Sequence, residues 1–283
     1  MARLDRLDVL SRKVLQGKLA GERRAKRRGQ SVEFADHRPY VVGDDLRFVD
    51  WNIYGRLDQL FLKLFLAEED LSVYLLADAS GSVDFGEPSK ELAIKRLTAA
   101  LGYVSLVNNN RLTVATFGDG LTGQLRHLRG RRYVQQLAEL LLGGRAAGPS
   151  GFERACRELA AAAIGTGVVV VISDFLLKEG YEAGLRRLLA WRGDVYVIQV
   201  LCPQELSPAL IGDLKLVDVE DGDGAEVTVT SAVLEYYKRN LAAYCNELKE
   251  FCRRRGAVYM LARSDEPTEQ LVLKTLRRHG LLR

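Results

Sequence analysis

Asp78, Ser80 and Ser82 stand at alternate positions of the pentapeptide DASGS (78–82), directly after the apolar run SVYLLAD. Gly81 loosens the loop between them, so their side-chain oxygens can converge on one point. A second apolar run, VVVVISDF, carries Asp174 at its end, and Ser150 lies in the Gly-rich stretch GGRAAGPSG. A hard cation such as Mg²⁺ wants about six oxygen ligands in octahedral array, commonly a few carboxylates and hydroxyls with water completing the shell. The two carboxylates and the hydroxyls of this set meet that demand, which points to Mg²⁺ or Mn²⁺. The same residues also suit a plainer role, in which Ser80 and Ser82 form a turn and Asp78 caps the following helix.

Other chemistries find less support. A serine hydrolase needs GxSxG at a strand-to-helix elbow, but GPSGF (148–152) ends in Phe152 and DASGS begins with Asp78. A haloacid-dehalogenase-like phosphatase wants a carboxylate two residues after Asp78, where Ser80 stands. No GxGxxG fingerprint follows the first strand, where a dinucleotide-binding fold would carry it, and no GxxxxGK[ST] phosphate loop occurs. His37, His127 and His279 are dispersed, without a nucleophile or ligand partner at motif spacing, and Cys156, Cys202, Cys245 and Cys252 form no CxxC pair. The cysteines are expected to be buried or half-buried thiols in a reducing compartment. Two alternatives stay open beside a binding site: a metal-dependent phosphohydrolase using Asp78 and Asp174, and a nucleic-acid-binding protein using the basic run from Glu22 to Arg28.

The elements that would hold these residues alternate between strand and helix periods. After LFLKLFL (60–66) and SVYLLAD (72–78), a helix is expected from Pro88 to about Asn108, then the strand RLTVATF, a hairpin through Gly118 to His127, and a helix over Tyr133 to Leu142. The helix FERACRELAAAAI, the strand VVVVISDF, a helix over Glu182 to Trp191 and the strand DVYVIQVL follow. A hairpin around Glu220 to Gly224, a long helix from Ala232 to Arg255, the strand AVYML and a helix from Pro267 complete the pattern. Strands this apolar have no wet face, so the fold class is α/β: a doubly wound, mainly parallel sheet covered on both sides. Ligands of such sheets bind beyond the carboxyl ends of the strands, where Asp78 and Asp174 fall.

With 283 residues and 47% hydrophobic content, the chain can bury a substantial core. Its 41 basic and 37 acidic residues leave a formal net charge of +4, which argues against a surface built wholly for nucleic acid. No apolar run reaches the ~18 residues a membrane span needs, and the charged N-terminus does not read as an export signal, so a cytoplasmic protein is expected. Leucines and a valine between Leu4 and Leu19 are spaced as on an amphipathic helix docked on the core.

DASGS, Ser150 before Phe152, and Asp174 resemble, in order along the chain, the three parts of the metal-ion-dependent adhesion site of von Willebrand factor A domains. The resemblance implies direct ligation by Ser80, Ser82 and Ser150, with Asp78 and Asp174 acting mostly through water and one position left for a partner's carboxylate. Ser150 departs from that pattern, where Thr is usual. Upstream, VEFADHRPYVVGDDLRFVDWNIYGR (32–56) followed by LFLKLFLAEED closely resembles the bacterial family called domain of unknown function 58, over roughly residues 10–200. In that family this block precedes a von Willebrand A-like half, and Val83 stands here where Met is common. The implied organisation is a family-specific segment over 1–66 packed on the core, then an A-like domain over 67–283. The implied function is non-enzymatic, metal-dependent protein binding beside a MoxR-type AAA+ ATPase, whose genes typically lie near those of the family, in assembly or maturation of other proteins. Within the upstream block, Gly43-Asp44-Asp45 reads as a turn, and Arg38, Arg47, Asp44, Asp45 and Asp50 as ion-pairing groups around Tyr40 and Trp51. Asp50 and Trp51 are expected to hold this block against the domain.

Overall fold

A computed structural model describes residues 4–11, 33–66, 71–162, 167–191, 193–210, 212–217 and 222–283. The basic run from Glu22 to Arg28 and the tip of the hairpin before Gly222 lie outside the described residues. The chain forms two compact units, one of Met1–Leu19 with Leu71–Arg283 and a smaller one of Ala20–Asp70.

In the smaller unit, β1 (Glu33–Pro39) pairs antiparallel with β2 (Phe61–Leu66). The chain between them turns at Gly43, whose φ of 104° favours glycine, makes a 3₁₀ turn over Leu46–Phe48, and enters the short helix α1 (Trp51–Leu57). Asp50 caps α1 by accepting from the backbone N–H groups of Asn52 and Ile53. The charges of this block form local pairs. Arg38 grips Asp44 with two nitrogens at 2.8 and 2.7 Å, Arg47 holds Asp45 at 2.6 Å, and Asp50 meets His37 at 3.0 Å and Lys63 at 3.3 Å. Trp51 is 60% exposed and meets Tyr54 edge-on, so the ring is not a buried anchor.

The larger unit is built on a six-stranded sheet. Its strands are β3 (Ser72–Asp78), β4 (Arg111–Gly118), β5 (Gly120–Leu128), β6 (Gly167–Ser173), β7 (Asp194–Leu201) and β10 (Val258–Arg263), in the order β10-β7-β6-β3-β4-β5. All neighbours are parallel except β4 and β5, which form the expected hairpin. Alternate residues of the central strands serve opposite faces. Val73 and Leu75 with Val168, Val170 and Ile172 face one core cluster; Tyr74 and Leu76 with Val169 and Val171 face another. A separate hairpin of β8 (Gly212–Val217) and β9 (Gly224–Val229) precedes the long helix near the C-terminus.

Helices cover both faces, as the apolar strands require. On the first face lie α2 (Lys90–Val107) and α3 (Val134–Gly143), and on the second α4 (Phe152–Ala162), α5 (Glu182–Leu189) and the C-terminal half of α7 (Ser231–Arg254). The one-turn α6 (Pro203–Leu206) follows β7, and α8 (Thr268–Gln270) leads into a π-helical turn over Leu271–Leu276. Ser89, not Asp78, is the N-cap of α2. The cysteines are free thiols, with Cys156, Cys202 and Cys252 buried.

The described part of the N-terminal segment corrects the expectation of a helix from Leu4. After a 3₁₀ turn over Leu4–Arg6, Leu7, Val9 and Ser11 are buried and Asp8 and Leu10 less so, a period of two. Val9 bridges antiparallel to Leu282, with Leu10 N–H donating to Leu281 C=O at 2.8 Å. Apolar spacing of three and four is compatible with both readings over so short a run, and pairing with the C-terminal residues decides for the extended one. Residues 12–19 lie outside the described residues.

Candidate metal centre

β3 stands at the topological switch of the sheet: the chain leaves it for β4 on one side, and β6 later pairs on the other. The crevice beyond the carboxyl ends of such neighbouring strands is where a ligand can enter without displacing core side chains. Asp78 is the last residue of β3, and Asp174 follows β6.

The loop after β3 folds around the Asp78 carboxylate. Oδ1 accepts from Ser80 N–H at 2.9 Å and from Ser80 Oγ at 2.6 Å, and Oδ2 accepts from Ser173 Oγ at 2.5 Å. Ser80 Oγ lies 3.0 Å from Ser82 Oγ. Burial and the charge of Asp174 push the Asp78 carboxyl up to about 7, against the opposing pull of the hydrogen bonds from Ser173 and Ser80. A carboxyl that keeps its proton toward neutrality marks a spot short of positive charge.

Ser150 reaches the same end of the sheet on another loop. Gly81 N–H donates to Gly148 C=O at 2.8 Å and Ala147 N–H to Ala79 C=O at 3.0 Å, which lays 147–148 alongside 79–81. Gly148 has a φ of 73°, and a Cβ on Gly151 would stand 2.6 Å from the Gly120 nitrogen, so the turn that carries Ser150 depends on both glycines. Phe152, wedged against Phe117 and Phe175 at centroid distances of 5.6 and 5.7 Å, fixes the start of α4 beneath it. Ser150 Oγ is buried and has no hydrogen-bond partner among the described residues.

Asp174 is differently engaged. Its Oδ1 accepts from Leu176 N–H at 3.0 Å, its backbone oxygen accepts from Gln199 Nε2 at 2.9 Å, and its Oδ2 accepts from Lys90 Nζ at 2.6 Å. The same ammonium meets Glu205 Oε1 at 2.5 Å. Burial pulls the Lys90 pKa down, and Asp174 and Glu205 more than restore it, leaving the ammonium raised above its ordinary value.

The residues fit a small divalent cation on three counts. Octahedral ligands at about 2.1 Å are about 3 Å apart along each edge, the spacing of the Ser80 and Ser82 hydroxyls. A buried hydroxyl without a partner, such as Ser150 Oγ, costs free energy unless something satisfies it. The neutral hydroxyls and an Asp78 carboxyl that makes no ion pair among the described residues leave room for added positive charge. Ser80, Ser82 and Ser150 would hold the ion, with Asp78 beside them.

The model of the family described as protein of unknown function DUF58 matches residues 36–247. The chain belongs to that family. The match begins later and runs further toward the C-terminus than the stretch on which the sequence resemblance rests. An uncharacterized protein of Mycobacterium tuberculosis is 27% identical over 274 residues, 93% of this chain and 84% of its own length. Among solved structures, the chain is similar to the conserved hypothetical protein BatB from Bacteroides thetaiotaomicron, at 11% identity with a TM-score of 0.47, covering 74% of this chain and 98% of that one. It is also similar to the SpRpn10 VWA domain, at 13% identity with a TM-score of 0.43, covering 71% and 93%.

Three site residues escape motif reading. Ser173 is adjacent to Asp174 in sequence, yet its hydroxyl serves Asp78 across the strand pair. Lys90 carries a signal that can be read in hindsight, since a cation at the first residue of a helix opposes the macrodipole and needs a reason. Glu205 lies in a one-turn helix after Cys202, with no spacing relation to the rest.

Proposed function

We propose that this DUF58 member is a non-enzymatic, cytoplasmic protein-binding module that uses Mg²⁺ or Mn²⁺ at Asp78, Ser80, Ser82, Ser150 and Asp174. The observation that carries the reading is the hydroxyl set, with Ser80 Oγ and Ser82 Oγ 3.0 Å apart and Ser150 Oγ buried without a partner. When bound, the ion supplies a Lewis-acidic position that an acidic side chain of a partner can complete. The chain's own neutral hydroxyls preserve that attraction where a cage of carboxylates would quench it. Beside Ser150 opens a cleft of 330 Å³ whose wall includes Asp119, Glu153, Arg154 and Arg157, a mixed-charge surface suited to a polar partner. No helix among the described residues is long and apolar enough to cross a membrane.

By the family resemblance, the partner is a MoxR-type AAA+ ATPase or its client, and the role is chaperone-like assembly or maturation of other proteins. Titration calorimetry with Mn²⁺ is expected to show one site per chain that Asp78→Ala removes; unchanged binding in that variant would refute the assignment. Capture of a MoxR-type ATPase from the same genome is expected to vanish with EDTA and in the Ser82→Ala, Asp174→Ala double variant. Capture that persists after metal loss points instead to the Glu22 to Arg28 segment.

A further inference from the structure

Lys90 is 1% exposed, yet it opens α2, where the helix dipole opposes a cation. A buried ammonium is held only where carboxylates repay its desolvation. Here two do so from separate segments: Asp174 after β6 and Glu205 on α6. Glu205 is itself fixed, since its Oε2 accepts from Cys202 N–H at 2.9 Å. The Phe85 ring, with its centroid 5.8 Å from Nζ, closes another side. The ammonium is therefore a rigidly seated charge.

Its placement divides the carboxylates of the site. Asp78 receives hydrogen bonds from Ser80 and Ser173 and makes no ion pair among the described residues. Asp174 has both carboxylate oxygens engaged, one of them by the ammonium. A divalent ion beside the hydroxyls thus meets one carboxylate without a counter-cation and one that already has its own.

We propose that Lys90 is a tethered counter-cation that competes with the divalent ion for Asp174 and holds the site's metal affinity down. The inference rests on the metal-site reading above and adds a positioning residue to it. An opposite charge within about 4–6 Å changes a carboxylate's affinity for a proton by about one to three powers of ten. Its affinity for another cation moves in the same direction. Glu205 partly offsets the ammonium, so its charge keeps the competition from becoming prohibitive.

The test is titration of the full chain with Mn²⁺ alone, read by calorimetry and by the electron paramagnetic resonance signal of free Mn²⁺. Lys90→Met with Glu205→Gln removes the cation and its second partner together, so the net charge of the cluster is unchanged and Asp174 alone loses its counter-cation. This variant is expected to bind Mn²⁺ roughly tenfold or more tightly than wild type, and Glu205→Gln alone to bind it more weakly. Should the double variant not fold by circular dichroism, Lys90→Gln keeps an N–H donor, drops the charge and is expected to tighten binding likewise. A Lys90 that merely braces the fold would lower the melting temperature and leave the Mn²⁺ Kd unchanged. Equal or weaker binding by the folded variants overturns the role of Lys90 and leaves the metal site standing. If neither wild type nor variants bind, the metal reading falls and this inference falls with it. If only the variants bind, the counter-cation role holds and the wild-type site is closed to metal by its own lysine.

Discussion

Ser173 Oγ donates to Asp78 Oδ2 at 2.5 Å, joining the ends of two neighbouring central strands through their side chains. The same oxygen accepts from Phe175 N–H at 2.9 Å, so one hydroxyl sets both the Asp78 carboxylate and the turn that presents Asp174. Ser173→Ala deprives a buried carboxylate of a donor and a buried N–H of an acceptor, and is expected to cost about 1–3 kcal/mol. Urea denaturation reads the loss as a lower midpoint; an unchanged midpoint would show that water replaces the hydroxyl at no cost.

Phe152 is 2% exposed and packs between two other rings directly after the Ser150 turn. Phe152→Ala is expected to destabilise by about 3–5 kcal/mol. Phe152→Leu fills more of the space and should retain most of the stability while loosening the position of Ser150. Thermal melts rank the two, and Mn²⁺ titration of the Leu variant reports whether the turn still delivers its hydroxyl.

Acid should act on the smaller unit through Asp50. Burial works to raise its pKa, but His37, the backbone N–H groups of Ile53 and Asn52, and Lys63 outweigh that and hold it at about 2, below the ordinary 3.8. A carboxyl depressed in the folded state contributes stability that is present above pH 3.8 and is lost as pH falls through 2. Trp51 opens the helix that Asp50 caps, so its fluorescence should shift across that window. In Asp50→Asn the shift within the window should be absent; a wild-type-like acid transition there would assign it to other groups.

Trp51→Ala is expected to change the melting temperature little, because the ring is 60% exposed and large penalties for losing an aromatic come from buried ones. Differential scanning calorimetry decides. If the variant melts as wild type but captures less of a partner, the exposed ring belongs to a recognition surface. A marked drop in melting temperature would show that the ring braces the fold after all.

The central sheet was the most legible part of the chain, since strands such as VVVVI and DVYVIQVL are too apolar to lie anywhere but between two layers. Helix limits came close because their signals are local, as with the expected end of α2 at Asn108 and its C-cap there. Leu4 to Ser11 misled because their pairing partner lies at the other end of the chain, and no local window contains it. Asp78, Ser80 and Ser82 were readable for the opposite reason, being neighbours in one loop. Lys90 and Glu205 were not, because their relation to Asp174 exists only once three distant segments meet.

The bridge between Val9 and Leu282 has a consequence for synthesis on the ribosome. Leu7 and Val9 emerge long before the backbone groups that pair with this stretch, those of Leu281 and Arg283. At roughly 5–20 residues per second the early segment waits on the order of tens of seconds for its mate. During that interval Leu7 and Val9, both destined for the core, are available to chaperones or to misplaced contacts. The latch therefore closes only once Leu281–Arg283 have been made, and removing them should leave a sheet that forms but a Leu7–Ser11 stretch with nowhere to dock.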